Sequence, residues 1–459
     1  MLHELVPRRT PGLSLYRCAV WKWIALAGVL TLSMITRALH LSDAVVGWFG
    51  GLDRPIDPDD LIRIARERTG LRDFGDIAFL DPLTRLLQSC SSESGLSLVG
   101  RSATRWDIVR FLSNLLAIQA AAAAQPHIAD LAVRQPIFIT GLPRSGTTFL
   151  HRLMLADGAN RAPAVWETIF PSPRSGTRSQ RIARVDRQLK AFEYLAPEFH
   201  ALHPLDARSP QECSEITAHV FRSLRFDTNY NIPSYRAWMD ADVVRHLPAY
   251  RFHKRFLQFL QHQDGLERRW VLKCPEHIFA LEAIKSVYPD ARMIFVHRDP
   301  VKVLLSQAQL TEVLRRPFTR ALEPRSLGPL ESRRWLDGTK RMMAIGDDAG
   351  LPESVCHVHH LDLISDPLST VEGVYRHFGM TLTEPSARAI DRYVAAKPKG
   401  GYGAHSYRFE DHGLNEAEER ARFRPYMVRF GVTPEDAPRR ELGREPGLVA
   451  SPNMSSPGL

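Results

Sequence analysis

The amino-acid sequence predicts an α/β fold: a P-loop-like, mainly parallel sheet flanked by helices, preceded by a helical N-terminal region. Three observations carry that expectation. Short apolar runs alternate with segments of helical periodicity between residues 136 and 361. The first run, Ile137-Phe138-Ile139, leads into a glycine loop, "TGLPRSGTT", which opens at once into a helical pattern. Ahead of it, residues 57–124 show the caps and apolar spacing of helices.

Taken in order, residues 1–55 form a basic, then apolar, N-terminal extension. Within it "CAVWKWIALAGVLTLSMIT" (18–36) is apolar apart from Lys22, which makes 19 residues through the lysine and 14 uncharged ones from Trp23 to Thr36. A membrane-spanning helix needs about 20 apolar residues. The stretch therefore fits a membrane-associated helix or a helix packed on the domain. A cleaved signal lacks its small-x-small site here. Trp21, Trp23 and Trp48 suit a membrane interface as well as ordinary packing.

Residues 56–133 read as a helical region. Asp57 caps a helix with acids in its first turn and Gly70 at its end; further helices cover 81–90 and 102–124, and Gln125-Pro126 closes the last. The domain proper spans 134–433, with strands at 136–140, 269–272, 292–297 and 355–361. Helices follow the glycine loop and cover 249–263, 276–287 and 301–316. In such a sheet ligands bind at the carboxyl ends of the strands. Asn415, with Glu418 three residues on, opens a last helix running to about Phe430. Residues 434–459, rich in Pro, Gly and Ser, read as a disordered tail.

Composition narrows the classes of function. Across 459 residues, 44% are hydrophobic and 24% charged, as in an ordinary globular protein. The formal charge of +9 suits anionic partners. The chain carries no zinc-finger or RNA-binding signature, so nucleic acid is not expected. The five cysteines are scattered with no C-x-x-C pair, against a disulfide framework or a zinc site and in favour of a reducing compartment. "CHVHH" (356–360) alternates His357 and His359 as a strand face would, and no metal is expected there.

The glycine loop departs from the pattern G-x-x-x-x-G-K-[ST] of ATP and GTP enzymes, whose lysine reaches the β- and γ-phosphates. Thr147 holds that lysine's place, and the strong cation, Arg144, lies inside the loop. Backbone N–H groups from Gly141 to Thr148 form an anion site, with hydroxyls from Thr147 and Thr148 and a forked guanidinium from Arg144. A second element is "MIFVHRDPVKVLLSQAQL" (293–310): Arg298 leaves a strand end, Pro300 opens a helix, and Ser306 follows eight residues after the arginine. Both side chains could close on one phosphate. Read alone, Arg298 pairs as readily with a structural carboxylate.

Together these elements resemble the sulfotransferases that use 3′-phosphoadenosine 5′-phosphosulfate (PAPS). That family carries P-[KR]-[ST]-G-T-T after its first strand, matched here by Pro143-Arg144-Ser145-Gly146-Thr147-Thr148, and an arginine and serine eight apart, matched by Arg298 and Ser306. The bacterial-type branch adds a "WE" (Trp166-Glu167), an "LK-x-P-x-H" (Leu272 to His277) and a C-terminal "H-x-Y" (His405-Ser406-Tyr407). The resemblance covers about residues 55–432.

The resemblance implies PAPS as co-substrate and no metal. Gly141, Pro143, Arg144, Ser145, Gly146, Thr147 and Thr148 would take the 5′-phosphosulfate. Arg298 and Ser306 would take the 3′-phosphate, with Lys399-Gly400 a looser match to the family's basic clamp. PAPS has no β- or γ-phosphate, which explains the missing lysine. Lys273 matches the lysine at the bridging oxygen, and Arg144 assists. The base is Glu167, where bacterial-type relatives carry a glutamate, or His277, which on a helix would share a face with Lys273. The acceptor is an alcohol or amine, lipid or carbohydrate. The expected location is the cytoplasm, against the inner membrane face, with a single-pass membrane protein as the alternative. A P-loop kinase or nucleotide hydrolase lacks its lysine and an Mg²⁺-binding aspartate. A non-catalytic nucleotide-binding scaffold would not need Arg144, Glu167, Lys273, Arg298 and Ser306 together.

Overall fold

The computed structural model describes residues 54–241, 243–346, 354–396 and 408–435. The apolar stretch 18–36 with its neighbouring tryptophans, Lys399, the His405–Tyr407 motif and the tail from residue 436 lie outside the described residues.

Five parallel strands form one sheet: β1 (Ile137–Gly141), β2 (Asn160–Arg161), β3 (Arg269–Lys273), β4 (Arg292–His297) and β5 (Val355–His359). They lie in the order β2-β3-β1-β4-β5. A parallel sheet covered on both faces needs apolar residues on both, so its strands read as continuous hydrophobic runs. Central β1 obeys this, with all five residues buried. Ile137 and Ile139 face Leu150, Leu153 and Met154 of the helix Thr147–Met154. Phe138 faces the opposite layer, with Phe256 and Leu260 of the helix Leu247–Asp264.

β2 was not expected. It is two polar residues long and carries no apolar signal; its pairing with Arg269 and Trp270 of β3 alone defines it. β5 stops at His359 because the helix His360–Ser365 begins there. The segment expected as one helix over 276–287 is a 3₁₀ turn, Pro275–Phe279, followed by a short helix, Leu281–Val287. The last helix divides into Glu416–Arg422 and Arg424–Phe430, where Pro425 supplies no backbone N–H to continue the first.

The N-terminal helices run Pro58–Thr69, Leu80–Ser92 and Leu98–Ala124. Asp57 caps the first, its carboxylate accepting from Asp59 N at 3.0 Å, and Gly70 closes it at φ 68°. Leu98–Ala124 is long and apolar enough to cross a membrane, yet most of it is buried inside the protein. Ile108, Phe111, Leu112 and Leu116 pack into the same core as Phe138, Phe256 and Trp270. It is a core helix of the domain.

Between β3 and β4 the chain crosses from one side of β1 to the other. Neighbouring connections thus diverge at the carboxyl end of β1, and a crevice opens there.

Candidate active site

β1 delivers the glycine loop to that crevice. Gly141 has φ 134°, and a Cβ on it would lie 2.3 Å from the Val296 carbonyl oxygen of β4, so the close approach of the two strands requires glycine. The loop then bends through Arg144, left-handed at φ 59°, and Gly146 at φ 98°. The helix Thr147–Met154 starts immediately after, its free amides at the loop. Ser145 is fully buried, and its Oγ has no hydrogen-bond partner among the described residues. A buried orphan hydroxyl in such a loop suits an oxyanion.

Arg144 ties the two predicted anion elements together. Its Nε donates to Ser306 Oγ at 3.0 Å and its Nη1 to the Leu202 carbonyl at 2.9 Å. Arg298 Nη1 donates to the Arg144 carbonyl oxygen at 2.6 Å. The rest of the Arg298 fork grips Glu435 through Nε at 2.6 Å and Nη2 at 3.0 Å. The Glu435 amide in turn donates to Asp299 Oδ2 at 3.1 Å. Arg298 therefore has the carboxylate partner that a purely structural reading allowed, while lining the same cleft as Ser306 and the glycine loop.

At the end of β3, in register with Ile139, stands Lys273. Its side chain is 3% exposed and forms an ion pair with Glu212. Glu212 sits just before the helix Cys213–Thr217, in a segment fixed by the Gln211 amide donating to the Pro163 carbonyl at 2.8 Å. Burial pushes the Glu212 carboxyl up, but the Lys273 ammonium beside it outweighs burial and holds it below the ordinary value. Glu212 is ionised at neutral pH. Burial, aided by Lys273, lowers His151 to about 3, and burial foremost lowers His203 to about 4, so both imidazoles are neutral. The Glu212 carboxylate thus faces the Lys273 ammonium, with the Arg144 guanidinium also within electrostatic reach.

Both expected bases stand elsewhere. Glu167 is the third residue of the helix Val165–Ile169 and its carboxylate reaches back to the Ala164 amide at 2.8 Å, with Arg161 at 3.8 Å. Burial raises its pKa, but its capping role turns it away, and it does not line the cleft. His277 lies in the 3₁₀ turn, not on a helix shared with Lys273. It is 1% exposed, bonded to Tyr250 Oη at 2.5 Å and set edge-on against Phe138. The extended backbone of Cys274 between strand and turn separates His277 from Lys273. The acid beside Lys273, Glu212, gave no sequence signal: "SPQECSE" has no spacing that marks a base, and 61 residues separate it from the lysine.

One cleft of about 1520 Å³ contains Pro143, Arg144, Gly146, Thr147, Thr148, Lys273, Glu212, Arg298 and Ser306. That exceeds the ~300–1,000 Å³ usual for one small ligand. Its lining also carries an apolar arm with Val99, Ile169, Phe192, Leu314 and Phe318, the Phe192 and Phe318 rings stacked 6.1 Å apart. An anion-gripping end, a central Lys–Glu pair and an apolar arm suit group transfer from an anionic donor to a partly apolar acceptor.

Residues 136–384 match the model of the Sulfotransferase family. The chain is 25% identical over 295 residues to the omega-hydroxy-beta-dihydromenaquinone-9 sulfotransferase Stf3 of Mycobacterium tuberculosis, spanning 62% of this chain and 71% of that protein. Among solved structures, sulfotransferase STF1 from Mycobacterium tuberculosis H37Rv superposes with a TM-score of 0.70 at 30% identity, over 80% of this chain and 98% of that one. Sulfotransferase STF9 from Mycobacterium avium shares the fold with a TM-score of 0.74 at 24% identity, over 82% and 97%.

Proposed function

Because the chain belongs to the sulfotransferase family, we propose that it moves the sulfuryl group of PAPS to a hydroxyl of a lipophilic acceptor, with Glu212 as base and Lys273 at the leaving oxygen. The observation that carries this is the Lys273–Glu212 ion pair, lining the same cleft as the glycine loop and Arg298. The residues present fit PAPS: the orphan Ser145 hydroxyl, the loop amides and Arg144 suit the 5′-phosphosulfate. Arg298, already holding a carboxylate with two nitrogens, suits the 3′-phosphate.

In this reading Glu212 takes the proton of the acceptor hydroxyl as its oxygen bonds to sulfur. The sulfur–oxygen bond to the 5′-phosphate breaks, and Lys273 neutralises the charge left on that oxygen. The product is a sulfate ester with 3′-phosphoadenosine 5′-phosphate (PAP). Glu212, held ionised, needs no upward pKa shift to start as a base. Its strong pairing to Lys273 means the ammonium must reorient toward the developing phosphate charge for the carboxylate to act. Positioning and electrostatics supply most of the catalysis.

Two observations support a lipophilic acceptor: the apolar arm of the cleft, and a relative named for sulfating a hydroxylated menaquinone. On the same reading the enzyme works in the cytoplasm, against the inner face of the membrane. Transfer of labelled sulfate from PAPS into lipid extracts, with chelator present, tests the proposal. Label in an organic-soluble alcohol fraction is expected. Stabilisation by ATP with Mg²⁺, and none by PAP, would overturn it.

A further inference from the structure

The cleft also holds a second polar pair that the proposed transfer chemistry does not use. Glu276 and Arg334 both line it, beside Pro275, Gln307 and Trp335. Arg334 comes from the helix Pro324–Gly346, is 2% exposed, and has neither Nε nor Nη2 in a hydrogen bond among the described residues. Its carboxylate neighbours stand off: Asp227 at 3.6 Å, Glu276 at 3.9 Å and Glu331 at 4.0 Å. Two of these are engaged by others. Glu331 accepts from Thr311 and Trp335, each at 2.8 Å, and Asp227 from Arg236 at 3.3 Å. Two other arginines of the cleft do reach carboxylates directly, although Arg110 Nη1 is without a partner among the described residues. Arg110 bonds Glu215 at 2.6 Å, and Arg225 bonds Asp107 at 2.7 Å and Glu215 at 2.8 Å.

Glu276 is thus a carboxyl three residues beyond Lys273, lining the cleft, with no hydrogen bond from any described side chain and with Arg334 Nη2 3.9 Å away. Burial raises it to about 7, against the pull of Arg334, with Glu212 pushing the same way as burial. Near neutrality it both donates and accepts. A carboxyl of that kind suits a hydroxyl, which does the same. The neighbouring Arg334 cation disfavours an amine.

We propose that Glu276, positioned by Arg334, binds a second hydroxyl of the acceptor, distinct from the one that is sulfated. Resting on the sulfotransferase reading above, this narrows the acceptor class to lipophilic alcohols with two hydroxyl groups. A simple long-chain alcohol would leave the pair unanswered, and a buried polar group without a partner is costly.

The test uses the full-length protein with PAPS and a panel of long-chain diols of increasing hydroxyl separation, each against the mono-alcohol of equal length. kcat and KM are measured for the native protein, Glu276→Gln and Glu276→Leu. The native protein is expected to prefer at least one diol by tenfold or more in kcat/KM, chiefly through KM. Glu276→Leu should collapse that ratio, and Glu276→Gln, which keeps donor and acceptor, should restore part of it. The proposal is overturned if no diol is preferred, or if Glu276→Leu keeps the preference. Binding of diols to the PAP-loaded protein, followed by thermal shift, provides a readout apart from turnover. Equal binding by all three proteins sinks the second-hydroxyl site while leaving sulfuryl transfer standing. Failure of PAP itself to stabilise the native protein would instead sink the underlying reading, and this one with it.

Discussion

At the scale of single residues, substitution separates the roles proposed for Lys273 and Glu212 from those of purely architectural side chains. Lys273→Ala is expected to lower kcat by about 10²–10³, as for loss of one transition-state donor, and steady-state kinetics with PAPS would measure it. Glu212→Gln should lower kcat by roughly 10²–10⁴, the range for a general base. Glu167→Gln, by contrast, touches a helix cap and should affect stability by about 1 kcal/mol. If Glu167→Gln abolished turnover while Glu212→Gln kept it, the base would be misassigned. Glu276 adds a pH signature. Its carboxyl is raised from the ordinary 4.5 to about 7 by burial, with Arg334, Arg236, Asp227 and Glu212 facing it. Between those values the native state binds more protons than the unfolded one, so stability falls as pH rises through the window. Glu276→Gln should flatten that part of the profile, read as Tm against pH. These residues also mark the limit of sequence reading. The cradle was legible because backbone geometry forces glycines at fixed positions, whereas Glu212 meets Lys273 only through space.

At the scale of elements, the sheet was legible wherever both faces of a strand are buried, since such strands must be apolar throughout. Ile137–Gly141 and the Met293–Val296 interior of β4 are of that kind. β2 has two polar residues and exists only as an edge on β3, so hydrophobicity could not announce it. His277 failed for a related reason: helical spacing placed it beside Lys273, but Pro275 opens a 3₁₀ turn whose tighter geometry turns the imidazole toward Phe138. The β1–β4 junction carries its own test. In Gly141→Ala the new methyl would meet the Val296 carbonyl at φ 134°. A loss of at least about 1–3 kcal/mol from strained backbone is expected, measured by denaturant unfolding, together with weakened PAP binding.

At the scale of the whole molecule, helices that precede the sheet and helices that follow it close around one cleft. Leu98–Ala124 supplies Val99 to the apolar arm, and the segment after Phe430 brings Glu435 to Arg298. PAP should therefore raise Tm in the presence of EDTA, and added Mg²⁺ should not enlarge the shift. The contact between Arg298 and Glu435 carries a kinetic consequence. On the proposed reading, a bisphosphate arriving there would meet a rival anion that belongs to the protein itself, and the measured affinity would be the intrinsic one reduced by the fraction of molecules whose arginine is released. Glu435→Gln should tighten PAP in calorimetric titration and slow its departure, trading faster capture for slower product release. On that reading the same carboxylate would reclaim the arginine once the spent nucleotide loosens, and so would aid turnover.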